Sequence, residues 1–124
     1  MQIIGNILVL LVALEHLYFL ALEMFLWTKP STMKIFGTTA ETVDVMKTLA
    51  ANQGLYNGFL AAGLLYGIVA SPAQVGFQFK IFFLLCVIVA GIYGGATVKP
   101  RIALVQALPA AIALVIIFIA GVPA

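Results

Sequence analysis

Charge is what this chain has least of. Six Lys or Arg and four Asp or Glu among 124 residues make 8% of the sequence, against 65% hydrophobic residues and a mean hydropathy of +1.22. A soluble domain this short needs a charged exterior over a single core, and ten charges cannot cover one. The apolar exterior must therefore face lipid, which makes the chain an integral membrane protein. Cysteine is nearly absent: Cys86 has no partner for a disulfide and no thiol companion for a metal site. Arg101 is the lone arginine and His16 the lone histidine. The cations are scattered at loop positions with no basic patch and no interleaved aromatics, so nucleic acid is not a partner. No cleavable signal sequence is legible, since no Lys or Arg precedes the first apolar run and Glu15 and Glu23 interrupt it before any cleavage site.

What is present in quantity is apolar sequence in lengths of about 20 residues, enough for one crossing each. Four spans are expected, at about 3–28, 45–70, 75–98 and 102–122, within a single transmembrane domain covering 1–124. Lys29-Pro30, Ser71-Pro72 and Lys99-Pro100 punctuate the connections, because proline and the residue before it disfavour continued helix. Short connections after spans two and three make consecutive helices antiparallel. The expected fold is all-α: a four-helix membrane bundle of up-down topology. The first connection is longer, and Thr38-Thr39-Ala40-Glu41 reads as a capping box that starts a short interfacial helical extension before the second span. Pro109 is expected to kink the fourth span or free a carbonyl near Val105.

Lys29, Lys34, Lys47, Lys99 and Arg101 flank loops one and three, whereas Lys80 alone lies near loop two. The positive-inside rule then puts loops one and three in the cytoplasm of a bacterial inner membrane and both termini outside. Lys80 is expected to snorkel to the outer surface. Small residues recur at helical spacing, in the pairs Gly54 and Gly58, Gly63 and Gly67, and Gly91 and Gly95, which suits close helix contact within the chain or in a homo-oligomer.

Chemistry is carried by the polar residues inside these spans. A carboxylate at bilayer depth costs at least about 2.5–3.5 kcal/mol, so Glu15 and Glu23 need a reason to be there. His16 adjoins Glu15 in sequence, and Glu23 returns to the azimuth of His16, with Trp27 on the same stripe. Trp27 is read as an interfacial anchor. The second span supplies Asn52, Gln53, Tyr56 and Asn57, which are expected to look inward because such a run is expensive in lipid. Together Glu15, His16, Glu23, Asn52, Gln53, Tyr56 and Asn57 form the expected proton- or ligand-binding site, a polar cavity closed by Gln106, Tyr18 and Tyr93. One His with two Glu lacks the paired Glu-x-x-His motifs of bundle di-iron proteins, so neither a metal nor another cofactor is expected. No Ser, His and acid set, phosphate loop or Cys pair is present either.

The segments Leu14-Glu-His-Leu-Tyr18, Leu22-Glu-Met-Phe-Leu-Trp27 and Leu49-Ala-Ala-Asn-Gln-Gly-Leu-Tyr-Asn-Gly58 resemble a family of small bacterial membrane proteins, domain of unknown function 1304. The resemblance covers essentially the whole chain and implies four spans, without an activity. By architecture alone the chain is also similar to small multidrug-resistance transporters, which carry a glutamate midway along the first helix as Glu15 is here. The cation bias departs from their dual topology. The leading expectation is proton-linked transport or binding of a small cationic or polar solute by a protein immersed in the lipid bilayer. Two alternatives stand beside it: a membrane enzyme acting on a lipid or quinone-like substrate with His16 or Glu23 as acid or base, and a structural or accessory subunit.

Overall fold

A computed structural model describes residues 1–123. It contains α1 (Gln2–Met24), α2 (Pro30–Phe36), α3 (Lys47–Val69), α4 (Ala73–Thr97), a π-helical turn (Ala103–Ala107) and α5 (Leu108–Ala120), with no strand among the described residues. Each expected span finds a helix whose ends agree to about one turn. By length and composition α1, α4 and the continuous stretch Ala103–Ala120 are fit to cross a membrane. α3 has the length, but Asn52, Gln53 and Asn57 in its first half keep it below the hydropathy of the other three. Composition thus supports three crossing helices rather than the expected four.

The first connection differs from expectation. Pro30 does not simply stop a span; it occupies the first turn of α2, where its missing N–H is not needed. α2 ends at Gly37, whose φ of 71° is the left-handed conformation that glycine adopts without strain, and the amides of Gly37 and Thr38 both donate to the Met33 carbonyl. No helix grows from Thr38 and Glu41. Residues 40–46 make separate turns, and the local bonds run one position later: the Thr39 amide donates to Thr42 Oγ1 at 3.1 Å, and the Val43 amide to the Thr39 carbonyl at 2.9 Å. The Glu41 carboxyl is held below its ordinary pKa by its own backbone amide and by the Thr39 hydroxyl. Regular helix resumes only at Lys47.

The described residues form two compact units. One comprises Met1–Leu14 and the chain from Leu60 onward; the other is Glu15–Phe59. In the first, four helices contribute to one core: Val9, Val12 and Ala13 from α1, Ala61 and Leu64 from α3, Leu84 and Val87 from α4, and Ala110, Ala113 and Ile117 from α5. Absent side chains set the helix spacing there. A Cβ on Gly76 would meet the Gly67 carbonyl, and one on Gly91 would lie 2.6 Å from the Ala107 amide nitrogen, so backbones touch at both crossings. Gln2 Nε2 donates to the carbonyls of Ala120 and Gly121, each at 3.0 Å, joining the first turn of α1 to the end of α5.

The disturbance expected at Pro109 lies on its N-terminal side. The Leu108 amide reaches back five residues to the Ala103 carbonyl, and α5 then starts with proline in its first turn. Widening the preceding turn accommodates a residue that can donate nothing to the helix.

Candidate functional site

The chemistry-bearing side chains lie in the second unit, on the later half of α1 and the first half of α3. α1 presents His16 and Glu23 inward, at 0% and 6% relative exposure, as their shared azimuth requires. The His16 imidazole meets the Phe19 ring edge-on, with centroids 5.6 Å apart. Its Nδ1 lies 3.9 Å from Glu15 Oε1. Glu15 stands about 100° away round the helix and remains partly exposed, yet its Oε1 is buried and has no hydrogen-bond partner. Glu23 is two turns further on, about 12 Å along the axis from Glu15. There Asn57 Nδ2 donates to Glu23 Oε1 at 2.6 Å, with both residues buried.

α3 can approach α1 here because Gly54 and Gly58 face it. A Cβ on Gly54 would fall 2.7 Å from Met24 Cγ and 3.3 Å from the Leu20 carbonyl, and one on Gly58 would fall 2.7 Å from Leu20 Cδ1. Ala50, Gly54, Asn57 and Ala61 therefore make the buried stripe of α3. That stripe corrects the sequence reading. Asn52, Gln53 and Tyr56 lie on the opposite flank and are exposed, Tyr56 by 59%. They do not join Asn57, because the helix turns its glycines to α1 and every residue near 180° from them must face out. Of the seven expected site residues, the structure brings together Glu15 with His16 and Glu23 with Asn57. Tyr18 and Tyr93, expected to close a polar cavity, are likewise exposed.

Trp27 is a further correction. It is 6% exposed, and its indole N–H donates to the Val43 carbonyl at 2.9 Å. With Val43 and Ala50, and flanked by Met33 and Phe36, it forms the small core beneath the first connection. A tryptophan at the end of an apolar span is a common interfacial anchor, so the sequence offered no sign that a loop would fold back over it.

Apolar helices bearing a buried imidazole and a buried carboxyl define a small all-helical protein with three helices fit to cross a membrane. The chain belongs to the family described as protein of unknown function (DUF1304), which it matches over residues 10–118. It is 37% identical over 117 residues, 93% of this chain and 97% of the other, to the uncharacterized protein YpaA of Lactococcus lactis subsp. lactis (strain IL1403). No solved structure matches the chain.

Proposed function

We propose that the protein is a multi-pass carrier or receptor of the bacterial inner membrane, in which Glu15, His16, Glu23 and Asn57 exchange a proton against a small cationic or polar solute. The carrying observation is Glu15: one carboxyl oxygen is buried without a hydrogen-bond partner, next to a fully buried imidazole. Buried polar atoms are otherwise almost always paired, and unpaired ones concentrate where a group is kept ready for a ligand or a proton. A carboxyl that neutralises either a proton or a cation, but not both, couples the two.

Four antiparallel crossings within one transmembrane domain are part of the proposal, with α3 as the fourth. Parity supports it. The Gln2 bonds to Ala120 and Gly121 hold the start of α1 and the end of α5 together, whereas three crossings would leave them on opposite sides. Lys80 near the start of α4 bonds Asn6 near the start of α1, and Gly67 near the end of α3 touches Gly76, so these ends share a level. On this reading α3 returns the chain across the bilayer. The distribution of Lys and Arg supports cytoplasmic loops one and three.

The test is solute and proton flux into proteoliposomes, across a panel of organic cations and neutral metabolites. Glu15→Gln is expected to abolish proton-coupled flux while leaving folding intact. Unchanged coupling in that variant removes Glu15 from the mechanism. A structural or accessory role is the second reading, favoured by the Glu23–Asn57 bond, which satisfies both partners without a ligand. It expects no flux from folded protein with any solute of the panel.

A further inference from the structure

A second polar feature lies in the other unit. Lys80, in the second turn of α4, does not reach the surface: it is 4% exposed, and its Nζ donates to Asn6 Oδ1 at 2.9 Å. Its stem passes over Gly67, where a Cβ would stand 2.7 Å from Lys80 Cγ. The α3–α4 crossing thus delivers an ammonium to α1. Among the described residues no carboxylate pairs with it, and a neutral amide oxygen occupies one of its three donors.

Asn6 also lines a groove of about 550 Å³, formed by Ile3, Ile7 and Leu10 of α1 and by Leu65, Tyr66 and Val69 of α3. Its walls are apolar apart from Asn6 and Tyr66, and its volume is within the ~300–1,000 Å³ usual for ligand sites. Asn6 lies about 6 Å along the axis from Gln2, in the outermost part of α1 and within reach of the headgroup layer. The rim residues Ile3 and Val69 are each 76% exposed, so the groove is open along its side to lipid. Lys80 is not itself part of the wall: its buried ammonium stands behind Asn6, so the polar spot of an apolar trough is backed by a cation with no carboxylate partner, which complements an amphiphile with an acidic head.

We propose that this groove binds an anionic glycerophospholipid, its phosphate at Asn6 against the Lys80 ammonium behind it, and one acyl chain along Ile3, Ile7 and Leu10. The phosphate supplies the counter-charge that the helices do not. The proposal does not rest on Glu15, on His16 or on transport.

The experiment is native mass spectrometry of the full-length protein in detergent, titrated with phosphatidylglycerol, with phosphatidylcholine of the same acyl chains, and with oleate. Wild type is expected to bind phosphatidylglycerol about tenfold more tightly than phosphatidylcholine, as one charge-assisted contact implies. K80Q is expected to bring that ratio close to one. I7W, which fills the groove and leaves the ammonium in place, is expected to weaken phosphatidylglycerol by a similar factor. A wild-type ratio near one, an unchanged ratio in K80Q, or full binding by I7W overturns the proposal. Oleate binding as tightly as phosphatidylglycerol overturns the phospholipid assignment. Should K80Q not fold, the wild-type ratio and I7W still decide.

Discussion

Replacing Asn57 by leucine removes the donor that faces Glu23 and leaves the helices otherwise able to pack. Two terms set the size of the effect. A hydrogen bond between membrane helices contributes about 0.6 kcal/mol on average and up to about 1.7. Stranding a buried polar partner costs about 1–3 kcal/mol, and Glu23 is 6% exposed with a single short bond to lose. Asn57→Leu is therefore expected to destabilise the protein by about 1–3 kcal/mol. Glu23→Gln keeps an oxygen within reach of Asn57 Nδ2 and should cost less than about 1 kcal/mol. In a Glu23→Leu background nothing is left to strand, so adding Asn57→Leu should cost little. The double-mutant cycle then yields a coupling of about 1–3 kcal/mol. Equilibrium unfolding by sodium dodecyl sulfate in mixed micelles measures all four proteins. Asn57→Leu indistinguishable from wild type, or two additive single changes, would refute a bond that holds α1 against α3.

Gly91→Ala sets a Cβ against the backbone of Ala107, which cannot move aside, and should cost about 1–3 kcal/mol; Gly58→Ala meets only the end of the Leu20 side chain and should cost less, as melting temperatures of the two variants would tell. Trp27→Phe keeps the ring but loses the bond to the Val43 carbonyl, so hydrogen exchange across residues 40–46 should accelerate by roughly five- to tenfold, corresponding to about 1 kcal/mol. Single cysteines introduced at Ser71 and at Val98 in a Cys86→Ala background should be labelled by an impermeant maleimide from opposite sides of the membrane, with Ser71 on the outer side. Labelling of both from one side would rule out α4 as a crossing helix.

The positions of the long helices were legible because hydrophobic length and proline punctuation are local properties. The inward face of α1 was legible too, since His16 and Glu23 stand seven residues apart on a helix with few other polar groups. What the polar run of α3 does was not. Asn52, Gln53, Tyr56 and Asn57 suggest a common face by spacing alone. Whether Gly54 or Gln53 turns inward depends on which surface α1 offers, and glycine carries no hydropathy signal to announce it. The first connection failed for a related reason. The Thr38 and Glu41 pair fits a helix start, but the Thr39 and Thr42 pair one residue later bonds locally, and Trp27 anchors the segment by a contact sixteen residues away. Lys80 looked like a surface cation because its position near a helix end is the ordinary place for one. Only the glycine at 67 opens a path for its stem, and glycines at small-residue spacing have too many uses for that one to be read in advance.

Each of the three glycine pairs is occupied by a neighbour from the same chain: Gly54 and Gly58 by Leu20 to Met24, Gly63 and Gly67 by Phe83 and Lys80, Gly91 and Gly95 by Ala107 and Ala103. Glycine-to-leucine scanning, the usual genetic assay for self-association of membrane helices, will therefore report misfolding here while imitating loss of a dimer. Any surface through which copies of this protein recognise one another must be sought outside these glycine pairs, and reporter strains scored on glycine variants need a folding control before they are read as association.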